Sequence, residues 1–223
     1  KYLILMGISL FLGTYLQPAA LQYTNIANAA FFTVFYVPLV PILLFFIYST
    51  KVHWSIWPSI GLCIIGVYLL SDFSNSEIMI GDALVILCSL FWALHIIFAG
   101  KFMEKFNIPI FYAALQAALV FTLSIFFATF LEEIVITKIL MEYSSILYAG
   151  VLSGGIAFTL QMFAQKNIEE TPAAIIYSLE GVFATIAGWV ILSQILNINN
   201  IIGCILILIA VIFSQVSPTA KKL

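Results

Sequence analysis

The amino-acid sequence predicts an all-α integral membrane protein in which eight helices cross the bilayer. Hydrophobic residues make up 64% of the 223 residues and charged residues only 8%, fractions that soluble domains do not have. The apolar residues are gathered into runs of about 20, the helical length that crosses a hydrocarbon core. These runs lack the polar and apolar alternation of a membrane-spanning strand, whereas a helix satisfies its own backbone in lipid. The sequence therefore favours a bundle of transmembrane helices.

The eight predicted helices follow one another with short polar connections between them. In chain order the apolar runs cover 2–22, 26–49, 54–71, 82–102, 108–131, 145–166, 172–195 and 201–217. The connections include the polar stretch 71–77 and the asparagine-rich stretch 197–200. No small-residue cleavage site follows a short apolar region at the start of the chain, so the first run is predicted to be a membrane span and not a signal peptide.

Composition and charge exclude several partners. The chain has no Arg, eight Lys and a net charge of −2, which leaves no basic surface for nucleic acid. Cys63, Cys88 and Cys204 each lie inside an apolar run, where a thiol behaves as a small hydrophobic group, and they indicate neither a disulfide framework nor a metal site. No phosphate-binding loop of the form GxxxxGK[ST] is present, and no cofactor is expected.

The positions of the lysines predict the orientation of the chain. Cytoplasmic loops retain Lys and Arg, and alternate crossings place seven of the eight lysines on one side of the membrane. Those seven are Lys1, Lys51, Lys101, Lys105, Lys166, Lys221 and Lys222, and only Lys138 falls outside. The sequence therefore predicts a multi-pass protein of the cell inner membrane with both ends of the chain in the cytoplasm.

A shift of 144 residues aligns the chain with itself without a gap. The matched positions are Ser9 with Ser153, Leu16-Gln17 with Leu160-Gln161, Ala20 with Ala164, Ala29-Ala30 with Ala173-Ala174, Ile42 with Ile186, Ser49 with Ser193 and Val67 with Val211. One repeat spans five helices, and an odd number of crossings inverts the second copy, an arrangement known from transporters. The sequence therefore predicts eight helices of a ten-helix inverted-repeat fold.

This repeat also predicts the domain organisation. Residues 1–71 correspond to helices three to five of the first repeat, whose first two helices are absent. An external linker covers 72–81, the second repeat covers 82–217, and a cytoplasmic tail covers 218–223. A genuine eight-helix protein is the alternative, and it would leave the helices at 82–102 and 108–131 without partners in the first copy.

Three stretches give the chain a family resemblance. They are Gly81-Asp82 leading to Leu90-Phe91-Trp92-Ala93-Leu94, Thr171-Pro172-Ala173-Ala174 leading to Ser178-Leu179-Glu180-Gly181-Val182-Phe183-Ala184, and Asn28-Ala29-Ala30-Phe31 leading to Pro41. The chain resembles the EamA-like permeases of the drug/metabolite transporter superfamily. That resemblance implies two inverted five-helix repeats and secondary transport, often export, of amino acids and other small metabolites. Such permeases often have Pro after Ser-Leu-Glu, where this chain has Gly181.

Glu180 is the leading candidate for a functional residue because it is the one acid inside a predicted span. It lies eight residues after Pro172, which places it ~12 Å from the cytoplasmic edge and near the midplane. A carboxylate there is costly to bury, so it suggests substrate binding or proton coupling, although a protonated Glu bonded to a neighbouring helix is the alternative. Tyr36 is its repeat equivalent, and Tyr177 lies one turn before it.

Five further polar or aromatic residues are candidates to line a substrate site. His95 lies deep in its span and could protonate near neutral pH, and Trp92 lies one turn earlier. Gln17 and Gln161 are repeat equivalents, and Gln116 lies in a third helix. Each could instead serve helix packing, since hydrogen bonds between membrane helices are common.

These features favour a secondary transporter over an enzyme. The sequence has only two His residues and no nucleophile or metal pattern, and a membrane-embedded enzyme or a non-transporting scaffold is the alternative. Every lysine lies at or beyond a helix end, so phosphates are poor substrates and neutral, zwitterionic or cationic metabolites fit better. The lipid bilayer and a small molecule are the expected partners, and a proton is the candidate coupling ion.

Overall fold

The computed structural model of the chain describes residues 2–71, 77–131, 133–193 and 195–216. In these ranges seven helices are long and apolar enough to cross a membrane, and an eighth apolar helix is shorter. In chain order they are α1 (Tyr2–Ala20), α2 (Ile26–Tyr48), α3 (Ile56–Leu70), α4 (Ile80–Phe106), α5 (Pro109–Leu131), α6 (Tyr143–Gln165), α7 (Glu170–Leu192) and α8 (Ile198–Val216). The prediction of an all-α membrane protein is confirmed.

The helix bounds differ from the sequence prediction at a few ends. Helix α4 starts at Ile80 and continues to Phe106, past the predicted end at 102, because the polar turn there carries an ion pair between Lys101 and Glu104 on the helix surface. A short helix, Ile136–Met141, precedes α6. Residues 72–76 of the predicted linker and the whole predicted tail 218–223 lie outside the described residues.

Helices α2 and α7 are both interrupted, at positions 144 residues apart. Helix α2 breaks at Val34 and Phe35 because Pro38 has no N–H to donate to the Val34 carbonyl, which accepts from the Val37 N–H instead at 2.9 Å. Helix α7 breaks at Ser178, whose hydroxyl donates to the Ile175 carbonyl at 2.6 Å. The two breaks therefore arise from different residues at equivalent positions.

The same two helices end in the same unusual backbone conformation. Ser49 after α2 and Ser193 after α7 have φ of 55° and 53°, a left-handed conformation that residues other than glycine seldom adopt. These two serines are also 144 residues apart. Two positions that the 144-residue shift pairs therefore share one backbone conformation.

Helices α3 and α8 pack closely through two glycines. A Cβ atom on Gly203 would lie 2.6 Å from the Gly66 carbonyl oxygen, and one on Gly66 would lie 2.9 Å from the Gly203 oxygen. Small residues of this kind let membrane helices approach through their backbones. The 144-residue shift also pairs α3 with α8, so the two helices in this contact are predicted repeat equivalents.

Helix α1 is packed on its inner side, whereas its equivalent α6 is not. A Cβ on Gly13 of α1 would lie 3.2 Å from the Trp92 indole of α4, and one on Gly7 would lie 2.8 Å from Leu119 of α5. In α6, by contrast, residues 143–157 are all exposed within the described part of the chain. The face of α6 that corresponds to the packed face of α1 is therefore uncovered.

A buried carboxylate joins α4 to the connection between α1 and α2. Asp82, 3% exposed, accepts hydrogen bonds from the Asn28 side-chain amide at 2.8 Å and the Met79 backbone N–H at 2.7 Å, and also from the Thr24 hydroxyl. Three hydrogen-bond donors from two segments of the chain therefore stabilise the negative charge of Asp82. At the opposite end of the bundle, the Lys101 ammonium lies 3.1 Å from Glu104 and 3.8 Å from Glu170, which joins α4 to the start of α7.

Candidate functional site

A central cavity of about 790 Å³ lies between α1, α2, α4, α6 and α7. Three pairs of repeat-equivalent residues contribute to its lining. They are Gln17 and Gln161, Thr33 and Tyr177, and Tyr36 and Glu180. Residues that the 144-residue shift pairs therefore line the same cavity.

One wall of the central cavity is built around the breaks in α2 and α7. Tyr36 begins the second half of α2, Tyr177 ends the first half of α7, and Glu180 follows the break in α7. The hydroxyls of Tyr36 and Tyr177 are buried and have no hydrogen-bond partner among the described residues. Glu180 is exposed to the cavity and lies close enough to Tyr36 to act on it electrostatically.

The carboxylate of Glu180 also has no ion-pair or hydrogen-bond partner in the described part of the chain. No Lys lines the central cavity there, and the lining residues other than Glu180 are His95 and neutral polar, aromatic or aliphatic side chains. A carboxylate without a partner in a membrane interior is costly, and such residues mark substrate or ion pathways. This wall can therefore bind a proton or a cationic group.

A second, aromatic wall consists of rings from α4 and α6. Trp92 and Phe158 lie with ring planes 5° apart and centroids at 6.3 Å, and His95 meets both rings edge-on at 6.2 Å and 5.8 Å. His95 is fully buried, and its Nε2 lies 3.1 Å from the Gln116 side-chain oxygen. Because that oxygen only accepts, Nε2 donates, and Nδ1 of the neutral ring is left as an acceptor without a partner among the described residues.

The structure brings seven of the eight candidate residues to the central cavity. They are Glu180, Tyr36, Tyr177, His95, Trp92, Gln17 and Gln161. The eighth, Gln116, is 2% exposed and lies behind His95, so it positions the imidazole instead of lining the cavity.

Sequence analysis missed Thr33, Phe158 and Phe183, which also line the central cavity. The 144-residue shift pairs Thr33 with Tyr177 and would have indicated it, whereas the two phenylalanines carry no signal that separates them from other aromatic residues of the spans. Among the described residues no three His, Cys, Asp or Glu side chains converge on a metal site.

The helices define a multi-pass membrane protein with a cavity that contains polar side chains. Residues 79–215 match the EamA-like transporter family. An uncharacterized transporter of Archaeoglobus fulgidus is 35% identical over 210 residues, which cover 93% of this chain and 66% of the relative. The chain belongs to the EamA-like transporter family, as its sequence resemblance predicts.

The fold is also found in a solved structure. The crystal structure of one protein superposes on this chain with a TM-score of 0.77 and 16% sequence identity. The match covers 95% of this chain and 76% of the other chain. At this identity the likeness shows a shared fold. The chain spans just under two thirds of the length of the Archaeoglobus relative.

Proposed function

We propose that this chain is the larger part of a secondary transporter that exports small neutral, zwitterionic or cationic metabolites, such as amino acids, by alternating access. The observation that carries this proposal is the central cavity of about 790 Å³, lined by three pairs of repeat-equivalent residues. Transporters built from inverted repeats bind substrate at mid-depth between the repeats and expose that site to each side in turn. The volume suits a metabolite, since small-molecule pockets range over about 300–1,000 Å³.

The charge of the central cavity supports the proposed substrate class. Its one charged lining residue among those described is Glu180, and Lys101 is held at the bundle end by Glu104 and Glu170. Phosphates and multiple carboxylates are recognised by Arg or Lys, so anionic substrates fit poorly. Glu180 is also the group that would bind a coupling proton, because it is the acid open to the cavity.

The uncovered face of α6 supports two further helices in the working transporter. Gly7 and Gly13 of α1 face α5 and α4, whereas their repeat equivalents in α6, Val151 and Ala157, are exposed. In a ten-helix arrangement the first-repeat counterparts of α4 and α5 would cover this face. The same two helices would close the central cavity against lipid.

Reconstitution in liposomes tests the transport proposal. The full-length protein is expected to give saturable counterflow with amines or amino acids and none with sugar phosphates, measured by exchange of radiolabelled substrate. Residues 1–223 alone are expected to transport poorly, because the cavity wall beside α6 is open. Counterflow with sugar phosphates alone, or with no compound in a broad metabolite panel, would contradict the proposal, and full activity of residues 1–223 would exclude a need for further helices.

The proposed orientation places both ends of the chain in the cytoplasm, in the cell inner membrane. Thr50, between α2 and α3, is then cytoplasmic, and Asn197, between α7 and α8, is external. Single cysteines at these exposed positions, in a protein lacking Cys63, Cys88 and Cys204, are expected to react differently with a membrane-impermeant maleimide. In intact cells the cysteine at 197 should be labelled and the one at 50 protected until lysis, and the reverse pattern would refute this orientation.

A further inference from the structure

We infer that the central cavity binds organic ammonium ions, with the charged amine at Glu180, Tyr36 and Tyr177 and the apolar body against Trp92 and Phe158. This inference rests on the proposed transport function and narrows its substrate class. It predicts a monovalent amine with an aromatic or apolar body, and it disfavours both anions and uncharged analogues of the same shape.

The need for a positive charge follows from Glu180. Its carboxylate is open to the central cavity and has no ion-pair or hydrogen-bond partner among the described residues, while Lys101 on α4 is held by Glu104 and Glu170. A cation in the cavity would supply the missing partner. In a membrane interior the attraction between a carboxylate and a bound cation is far stronger than in water, because the local dielectric constant is low.

The groups around Glu180 favour an ammonium ion over an inorganic cation. Tyr36 and Tyr177 line the same wall, and their buried hydroxyls have no hydrogen-bond partner in the part of the chain that the structure describes. Hydroxyl oxygens can accept from an ammonium N–H, and aromatic faces attract poorly hydrated organic cations. Hard cations such as Mg²⁺ and Ca²⁺ need six or more oxygen ligands, which one carboxylate and two phenols do not provide.

The aromatic wall explains why the ligand needs an apolar body. Trp92 and Phe158 both line the central cavity, and their rings are stacked with planes 5° apart. Gly13 allows the indole this position, since any Cβ there would approach it to 3.2 Å. A cavity of about 790 Å³ is far larger than an ammonium group, so the remaining space is available to an apolar substituent.

Equilibrium binding to the full-length protein in lipid nanodiscs tests this inference with three probes of similar shape. Phenethylamine carries an ammonium, phenethyl alcohol is neutral and phenylacetate is an anion. Phenethylamine is expected to bind at least about 10-fold more tightly than the other two, because only it can pair with Glu180. Equal binding of the alcohol, or tighter binding of phenylacetate, would overturn the inference.

Variants of Glu180 and Tyr177 test the contribution of the negative charge and that of the aromatic ring separately. Glu180→Gln is expected to weaken phenethylamine at least about 10-fold and to leave the alcohol unchanged. Tyr177→Leu removes the aromatic face and is expected to weaken the amine about 2- to 30-fold, whereas Tyr177→Phe keeps the ring and retains most of the binding. Tyr23→Leu, at a residue 55% exposed in the connection between α1 and α2 and outside the cavity lining, is the matched control and should change nothing. An unchanged preference for the amine in Glu180→Gln would overturn the inference.

The failure of this inference can be told apart from that of the proposed function. If no probe binds while the full-length protein transports neutral metabolites, the ammonium site is wrong and the transport proposal stands. If the protein neither binds the probes nor transports any compound of the panel, both are wrong.

Discussion

Replacement of Glu180 with Gln is expected to reduce transport of amine substrates by about 10- to 150-fold in proteoliposomes, the loss that follows from removing a hydrogen bond to a charged group. Gln keeps the size and hydrogen-bonding capacity of the side chain but carries no charge. Because Glu180 is the one acid among the described residues that line the central cavity, no neighbour can replace it. Both gradient-driven uptake and substrate exchange should fall, since both require the bound amine.

A control and two alternative results make this experiment decisive. Glu133→Gln, in the exposed connection before α6, removes an equal charge outside the cavity and should leave the rates unchanged. Loss of gradient-driven uptake with intact exchange would identify Glu180 as a proton site and contradict ammonium binding. Unchanged rates and an unchanged dependence on pH would reduce Glu180 to a helix-packing residue.

Gly203→Leu is expected to destabilise the fold more than any change in the cavity. A Cβ at position 203 would lie 2.6 Å from the Gly66 carbonyl oxygen and 3.0 Å from the Leu70 backbone nitrogen. Both are backbone atoms, so α3 and α8 would have to separate. The cost should be about 3 kcal/mol or more, the upper part of the range for overpacking, and should lower the melting midpoint by about 5 °C or more.

Gly61→Leu is the matched control for this change. Gly61 lies on α3 as well, but no atom outside its own helix lies within 4 Å of the position of its Cβ. Thermal unfolding followed by size-exclusion chromatography should separate the two variants. Equal midpoints for Gly203→Leu and Gly61→Leu would mean that the packing of α3 on α8 does not limit stability.

Much of the fold could be predicted because lipid imposes simple rules. Long apolar runs between polar connections indicate helices. The match of Gln17 with Gln161 predicted a repeat, and its paired positions Ser49 and Ser193 share a left-handed backbone conformation. The repeat also pointed to Tyr36, because it is the equivalent of Glu180. Inside a membrane an acid is rare enough to be conspicuous in the sequence alone.

The rest depended on contacts that a sequence does not display. Pro38 indicates a break in α2, but the equivalent break in α7 at Ser178 arises from a side-chain hydrogen bond, which pattern analysis cannot separate from an ordinary serine. Gln116 and Gln161 have the same side chain in similar apolar runs. Only the packing of α5 behind α4 decides that Gln116 faces His95 while Gln161 faces the cavity.

The matching breaks in α2 and α7 bear on the energetics of the proposed transport cycle. Each break leaves two half-helices, and in that cycle the halves would tilt separately about Val34 or Ser178. If each repeat adopts the tilt that the other had, the helices make a nearly equivalent set of contacts and the site opens to the other side of the membrane. The inward-open and outward-open states should therefore differ little in free energy. A ligand can then shift the populations of these two states with only a modest difference between its affinities for them. Inverting a population ratio of 1:99 would need affinities that differ about 10⁴-fold. Duplication of the helices would thus give the protein little intrinsic preference for inward or outward transport. The concentrations of substrate on the two sides of the membrane would then determine which way the substrate moves.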